Sequence, residues 1–169
     1  MRSMATAIDP VDRSGPTMPM AILADFHADA TGLPAGTGAY VLLIRLSDRL
    51  PLTLAGRSGV TLAPGNYLYC GSAHGPGGIK ARVGRHMRPD KAIRWHVDQL
   101  TTGGTVAGAW VFPNGDECGL VAMLADMPVP VPGFGSTDCG TCPSHLLSWP
   151  TGMTLPFGAP GVPASAHRW

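Results

Sequence analysis

AYVLLIRL, at residues 39–46, and YLYCGS, at residues 67–72, are the two stretches of sequence that decide the fold. The first is an almost continuous apolar run, which is typical of a strand buried in the middle of a sheet. The second follows Pro-Gly-Asn at residues 64–66, which is a turn signal, so we expect a further strand there. The two stretches therefore predict the centre of a small sheet.

Helices are predicted on the C-terminal side of these strands. Apolar residues spaced four apart indicate a first helix that Pro89 ends. Asp90 is expected to cap a second helix, and Glu117 to begin a third. The other strand candidates are residues 52–54, 60–63 and 106–112. The expected core residues of the three helices are Ile79, Val83 and Met87, then Ile93, Val97 and Leu100, then Leu120, Val121 and Leu124.

This order of elements predicts one α/β (α+β) domain with a small, central, mainly antiparallel sheet flanked by helices. The length of 169 residues suits a single domain with a real core. We expect that domain at residues 37–149. Residues 1–36 are predicted as a partly disordered N-terminal extension, with a short helix near residues 20–28. Residues 150–169, rich in Pro and Gly, are predicted as a tail with too few apolar side chains to dock.

Charge is distributed unevenly along the chain. The formal net charge is only +1, which gives no overall attraction to nucleic acid. Half of the twelve basic residues nevertheless fall between residues 79 and 98, namely Lys80, Arg82, Arg85, Arg88, Lys91 and Arg94. A solvated helix face is the simplest explanation of such a cluster, and phosphate binding is the functional one.

The chain is predicted to be cytoplasmic. Its first twenty residues lack a basic flank followed by a continuous apolar run, so no secretory signal is expected. The longest apolar run, residues 39–44, is too short to cross a bilayer, and no membrane partner is predicted. In this compartment the four cysteines are expected to be thiols or metal ligands rather than disulfides.

Two tyrosine motifs and three later residues carry the functional interpretation. Gly38-Ala39-Tyr40 lies on one strand and Tyr69-Cys70-Gly71 on another, followed by Arg82 and His86 on a helix and by Glu117 on a later helix. This pattern resembles the GIY-YIG nuclease superfamily. The motifs APGNYLYCGSA, GPGGIKARVGRH, RWHVD and PVPGFGSTDC extend the resemblance over residues 38–149. They are similar to a poorly characterised branch of small bacterial and archaeal domains, some of which are fused to endonuclease III-type repair glycosylases.

The resemblance implies a divalent-metal-dependent endonuclease that hydrolyses phosphodiester bonds in DNA, including branched or damaged DNA in repair. Glu117, the only glutamate, would bind Mg²⁺ or Mn²⁺, and Arg82 would contact phosphate. Tyr40 would orient or deprotonate the attacking water, supported by Tyr69 and His86. The expected nucleic-acid-binding residues are Lys80, Arg85, Arg88, Arg94 and His96.

The chain departs from the family pattern in its motifs and in one loop. Ala39 and Cys70 occupy the middle positions of the two tyrosine motifs. Neighbouring residues on a strand point to opposite faces, so we expect both to face away from the tyrosines. The segment between Tyr40 and Tyr69 is longer than in the better-known nucleases, which leaves the substrate less defined than the fold.

A second group of candidate ligands is formed by Cys139 and Cys142, with His145 after them and Cys118 next to Glu117. Three thiols and a histidine can bind zinc if the fold brings them together. Plain buried thiols are the preferred interpretation and a structural zinc site is the alternative. A redox CxxC normally lies where a strand enters a helix, whereas Pro143 follows here.

Three functions remain open at this level. The first is a nuclease, which requires both tyrosines, Arg82 and Glu117 to face one open groove. The second is a catalytically weak nucleic-acid-binding module of the same fold, which requires only an exposed basic helix. The third is a zinc-stabilised interaction domain, which requires the cysteines and His145 to lie together.

Overall fold

The computed structural model describes residues 22–161. In this part of the chain, seven strands and three helices follow one another. In chain order they are β1 (Asp25–His27), β2 (Gly38–Leu46), β3 (Leu50–Pro51), β4 (Thr61–Leu62), β5 (Gly65–Ala73), α1 (Gly78–Met87), α2 (His96–Gly103), β6 (Thr105–Pro113), α3 (Glu117–Met123) and β7 (Leu146–Ser148).

Five of the strands form one antiparallel sheet in the order β1-β6-β2-β5-β7. The predicted α+β class with a mainly antiparallel sheet is therefore confirmed. β2 lies in the centre, and eight of its nine residues are buried, as its apolar run indicates. β3 and β4 form a separate two-stranded ribbon.

The sheet carries a hydrophobic core on each face, because successive side chains of a strand point to opposite sides. Tyr40, Leu42 and Ile44 of β2 pack on one face, together with α1 and α2. Ala39 and Val41 pack on the other face, together with α3. Cys70 also belongs to that second core, so the expectation that Ala39 and Cys70 point away from the tyrosines is confirmed.

The second helix begins later than its sequence predicts. The expected cap was Asp90 with Ile93 in the core, but α2 starts at His96 and Ile93 is 61% exposed. The Asp98 carboxylate accepts hydrogen bonds from the backbone N–H groups of Arg94 and Trp95, at 2.8 and 3.0 Å. These bonds satisfy donors in front of the first turn and define the helix start there.

The folded unit is wider than the predicted boundaries at residues 37 and 149. In place of the short helix expected near residues 20–28, β1 pairs with β6, and Ala24 is buried. At the other end, Phe157 is fully buried and its carbonyl accepts a hydrogen bond from the Ala24 N–H at 3.3 Å. The rest of both predicted appendages, residues 1–21 and 162–169, lies outside the described residues.

The helices are short, and the longest, α1, has ten residues. Within residues 22–161, no helix is long and apolar enough to cross a membrane.

Candidate functional site

One solvent-open cavity of about 470 Å³ brings the predicted catalytic residues together. It lies on the α1 face of the sheet, where β2 and β5 run side by side. The five candidates that line it are Tyr40, Tyr69, Arg82, His86 and Glu117. The topology explains this convergence, because α1 follows β5 directly and α3 follows β6, and these two strands flank β2.

Gly71 makes room for the ring of Tyr40. The two residues are direct partners across β2 and β5. A Cβ atom at position 71 would lie 2.5 Å from both Cζ and the hydroxyl oxygen of Tyr40, which no side chain can accommodate without displacing the ring. The glycine after Tyr69-Cys70 is thus a steric requirement of the first tyrosine, not only a turn signal.

Tyr40 is hydrogen-bonded to His86, with 3.0 Å between the phenol oxygen and Nε2. Both side chains are buried. Burial raises the pKa of Tyr40 well above its usual value, and neighbouring Tyr69 adds to this rise while Arg82 opposes it. Burial also raises the pKa of Tyr69. The phenol of Tyr40 therefore keeps its proton in this structure and can donate it to His86.

His86 is neutral at physiological pH because burial lowers its pKa to about 3, although Asp98 opposes this change. Its Nδ1 atom lies 3.6 Å from Oδ1 of Asp98 and has no hydrogen-bond partner among the described residues. That distance is too long for a hydrogen bond, and a neutral ring makes no ion pair. When Tyr40 donates to Nε2, the imidazole proton lies on Nδ1, on the side of Asp98.

Asp98 is a buried carboxylate that the sequence interpretation missed. Arg85 binds both of its oxygens, at 2.8 and 3.0 Å, and two backbone N–H groups bind it as well. Burial raises its pKa, but the bonds from Arg85 and the backbone outweigh burial and lower it to about 2. No dyad with His96 is expected from sequence, because residues two apart do not share a helix face; the actual histidine neighbour is His86 on α1. The sequence signal for Asp98 is its position in the first turn of a helix, directly after a basic segment.

Arg82 and Arg85 both stack on the Trp95 ring, each at 4.3 Å, but they differ in their polar partners. Arg85 is committed to Asp98 and to the carbonyl oxygen of Ala92, the latter at 2.8 Å. Arg82 stacks over the Trp95 ring at 4.3 Å and makes no hydrogen bond or ion pair with the other described residues. Stacking fixes the guanidinium plane while leaving its donors unused. Arg82 is thus available to an anion in the cavity.

Glu117 is the first residue of α3, and Asp116 is the cap in front of it. The Asp116 carboxylate accepts the Gly119 N–H at 2.8 Å, so helix capping does not occupy Glu117. Among the described residues, the Glu117 side chain has no hydrogen-bond or ion-pair partner. Asp138, which the sequence interpretation did not single out, adds a second carboxylate to the cavity wall. A single free carboxylate with open space beside it fits Mg²⁺ or Mn²⁺, which retain waters and bind substrate oxygens.

The predicted nucleic-acid-binding residues divide into three groups. Arg94 and His96 line a groove of about 580 Å³, which shares Tyr69, Trp95 and Asp138 with the cavity. The ring of His96 also packs against Phe134, with 5.6 Å between centroids. Lys80 and Arg88 are exposed but line neither the cavity nor this groove. Arg85 is committed to Asp98, as described above.

The four predicted zinc ligands also lie together. The sulfur atoms of Cys118, Cys139 and Cys142 and a ring nitrogen of His145 are all within 4.8 Å of one another. Hydrogen bonds from Thr141 and from the Cys142 N–H lower the pKa of Cys139 to about 5, while hydrogen bonds with the other two thiols raise the pKa of Cys118 to about 12. Plain buried thiols are the expectation for these cysteines, but all three are partly exposed. Cys70 is the cysteine that is fully buried.

Fold and site define a small α+β protein with a polar, open cavity at the edge of two strands and two helices. The chain belongs to the family described as Domain of unknown function DUF123, which matches residues 39–156. That range includes all five residues of the cavity discussed above and the complete cysteine cluster. No curated protein and no solved structure matches the chain.

Proposed function

We propose that the chain is a divalent-metal-dependent endonuclease of the GIY-YIG type, which hydrolyses phosphodiester bonds in DNA. One observation carries the proposal: two tyrosines, an arginine, a histidine and a glutamate from four separate elements line the same open cavity. Phosphodiester hydrolysis needs an activated water, a cation for the phosphoryl oxygens and help for the leaving oxygen. This set of side chains can serve those needs.

Arg82 would bind the phosphate. Its guanidinium is at the cavity wall, is held by the Trp95 ring and has no acidic partner among the described residues. A planar guanidinium can bind two phosphate oxygens at once. We assign this role to Arg82 alone, because Arg85 is bound by Asp98. Arg85 instead holds the carboxylate behind His86.

Glu117 would hold the metal ion. Mg²⁺ or Mn²⁺ bound there would lower the pKa of a coordinated water and offset negative charge on the phosphate. The protein contributes the carboxylate, its partial burial and its place in the cavity wall. Carboxylate and water oxygens are the ligands that these ions prefer.

Tyr40 and His86 would move the proton of the attacking water. As the water attacks phosphorus, its proton passes to the phenol oxygen of Tyr40, and the phenol proton passes to Nε2 of His86 along their 3.0 Å hydrogen bond. The resulting hydroxide forms the new P–O bond while the P–O bond to the leaving oxygen breaks, and the leaving oxygen takes a proton from solvent water in the open cavity. His86 becomes a cation, which the Asp98 carboxylate 3.6 Å from Nδ1 stabilises. This path does not require Tyr40 to be ionised at rest.

The substrate is proposed to be DNA, including branched or damaged DNA. The groove with Arg94 and His96 adjoins the cavity. A DNA strand on one side of the scissile phosphate could follow this groove. A catalytically weak nucleic-acid-binding module is the second candidate function. The observation that favours it is the burial of Tyr40 and His86, which opposes charge on either group.

The test is a cleavage and binding assay with single-stranded, duplex, nicked and branched DNA. Wild type and Tyr40→Phe would be compared with Mg²⁺ or Mn²⁺ added or withheld; withholding the ion, rather than adding a strong chelator, leaves any zinc in place. We expect cleavage by wild type that requires the added ion and is lost in Tyr40→Phe, which also controls for a co-purifying nuclease. Binding without cleavage would favour the binding module, and neither binding nor cleavage would contradict both.

A further inference from the structure

Three cysteines and one histidine from distant parts of the chain converge beside the cavity. Cys118 lies in the first turn of α3, Cys139 and Cys142 lie in the loop after it, and His145 directly precedes β7. Their four ligand atoms lie within 4.8 Å of one another. Tetrahedral zinc with ordinary Zn–S and Zn–N bonds places its ligand atoms roughly 3.5 to 3.8 Å apart. The cluster therefore needs only small side-chain adjustments to close around an ion.

The backbone holds these ligands in place without a metal. The Cys142 N–H donates to the sulfur of Cys139 at 3.2 Å, a hydrogen bond that favours an anionic, metal-binding sulfur. The backbone of His145 is fixed on both sides, because its N–H donates to the Phe134 carbonyl and its carbonyl accepts the Cys70 N–H, each at 2.9 Å. These hydrogen bonds help to position Cys139 and His145 for a metal ion.

His145 supplies an independent indication of a ligand. Its side chain is only 5% exposed, and Nε2 is buried with no hydrogen-bond partner among the described residues. Buried polar atoms are normally paired, so an unpaired nitrogen on the ring that lies beside three sulfurs needs an explanation. A bound cation would supply it.

A disulfide explains the cluster less well than a metal. The sulfurs of Cys118 and Cys139 are 3.3 Å apart, well beyond a bond length of about 2.05 Å. Such a bond would also leave Cys142 and His145 without a role. Thiolate and imidazole ligands select zinc over the hard ions proposed for Glu117.

We propose that Cys118, Cys139, Cys142 and His145 bind one Zn²⁺ ion, which fastens the loop of residues 133–145 to the start of α3. Four protein ligands leave no open position, so the ion is structural. Cys118 directly follows Glu117, and the fastened loop carries Asp138, so the zinc also shapes two sides of the cavity. Only this last consequence rests on the proposed nuclease function; zinc binding itself does not.

The test is the metal content of the full chain, purified in reducing buffer and dialysed without a chelator. We expect about one zinc per chain in wild type and less than about a tenth of that in Cys142→Ser and His145→Gln. Cys70→Ala is the matched control, because it removes the one cysteine outside the cluster and should keep its zinc. Replacement by Co²⁺ should give the visible absorption of a tetrahedral thiolate site.

Wild type that contains no zinc and gains no such absorption with added Co²⁺ would overturn the proposal, and so would a Cys118–Cys139 disulfide in protein purified without reductant. Equal zinc in Cys142→Ser and wild type would also overturn it. If the ligand variants fail to fold, the wild-type zinc content and cobalt spectrum still decide the outcome. None of these measurements depends on DNA cleavage, so failure of the nuclease proposal would leave this result unchanged.

Discussion

Arg82 and Arg85 lie about one turn apart on α1, yet their surroundings give them different tasks. Both stack on Trp95, but Arg85 neutralises the buried Asp98, whereas Arg82 has no acidic partner among the described residues and lines the cavity. A sequence shows both only as members of a basic cluster. Which of them is free depends on where Asp98 comes to lie, and that is decided by the long-range packing of α2 against α1.

Among the basic residues of α1, Arg82 should contribute most to the cleavage rate. Loss of a charge-assisted hydrogen bond to phosphate costs about 1.5–3 kcal/mol, which corresponds to roughly 10- to 150-fold in rate. We therefore expect Arg82→Ala to slow DNA cleavage by that factor. The exposed Arg88 is the control, since Arg88→Ala removes the same charge without touching the cavity and should change the rate by less than about threefold. Equal losses of cleavage rate in the two variants would mean that the basic cluster only attracts DNA through its overall charge.

The buried, neutral His86 should make the fold sensitive to acid. Its pKa is about 3 in the folded chain and near 6.5 in the unfolded one, so the unfolded state binds the proton first as the pH falls. Above pH 6.5 this histidine leaves the free energy of unfolding unchanged. As the pH falls from 6.5 towards 3, the free energy of unfolding declines. The slope approaches about 1.4 kcal/mol per pH unit within that window.

Urea unfolding between pH 6.5 and about pH 4.5 measures this slope, in a range where Asp98 is ionised in both states. His86→Gln can still bond Tyr40 but does not titrate, so its unfolding free energy should depend less on pH. His74→Gln, at an exposed position outside the cavity, should retain the wild-type slope. The same slope in all three proteins would show that His86 is not buried as a neutral ring.

At the scale of elements, the residues with strong periodicity could be predicted from sequence. The apolar run of β2 and the four-residue spacing in α1 each reflect the face that the element buries. The core residues of α3 were also predicted correctly, since Leu120, Val121 and Leu124 are buried. In contrast, the start of α2 is misplaced by sequence, because Asp90 is read as the cap while the structure uses the bonds of Asp98 to the N–H groups of Arg94 and Trp95.

The segment after β7 was predicted as an undocked tail because its many Pro and Gly residues conceal a single anchor. Phe157 is fully buried against the rings of Trp110 and Phe112, at centroid distances of 5.1 and 5.4 Å. One aromatic side chain can fix an irregular segment when a pocket for it exists on the sheet. Composition averages over the segment and does not reveal such a pocket.

Phe157 should therefore stabilise the whole domain. Truncation of a fully buried phenylalanine costs about 3–5 kcal/mol, so Phe157→Ala should lower the free energy of unfolding by that amount. Phe157→Leu, which retains an apolar anchor, should cost clearly less. Chemical denaturation measures both variants. A change below about 0.5 kcal/mol in Phe157→Ala would mean that the segment does not dock in solution.

At the scale of the whole molecule, the two sheet faces have different roles. The face with α3 and Phe157 is a closed core, whereas the opposite face carries the tyrosines beneath the cavity. The candidate residues Tyr40, Tyr69, Arg82, His86 and Glu117 could be chosen from sequence because their pattern resembles that of a known family, and they line one cavity in the structure. Asp98 could not, because its partners Arg85 and His86 lie on another helix, and Asp138 could not, because it lies in the irregular segment between α3 and β7.

The central claim is that the cavity hydrolyses DNA with a metal ion on Glu117, and cleavage by Glu117→Gln tests it most directly. Loss of a catalytic metal ligand should cost several kcal/mol, which corresponds to a rate at least about 100-fold below wild type. Asp126→Asn removes one negative charge at an exposed position away from the cavity and should cleave like wild type. Both variants would be matched for folded fraction and zinc content, because Cys118 follows Glu117. Cleavage by Glu117→Gln at the wild-type rate would contradict the claim.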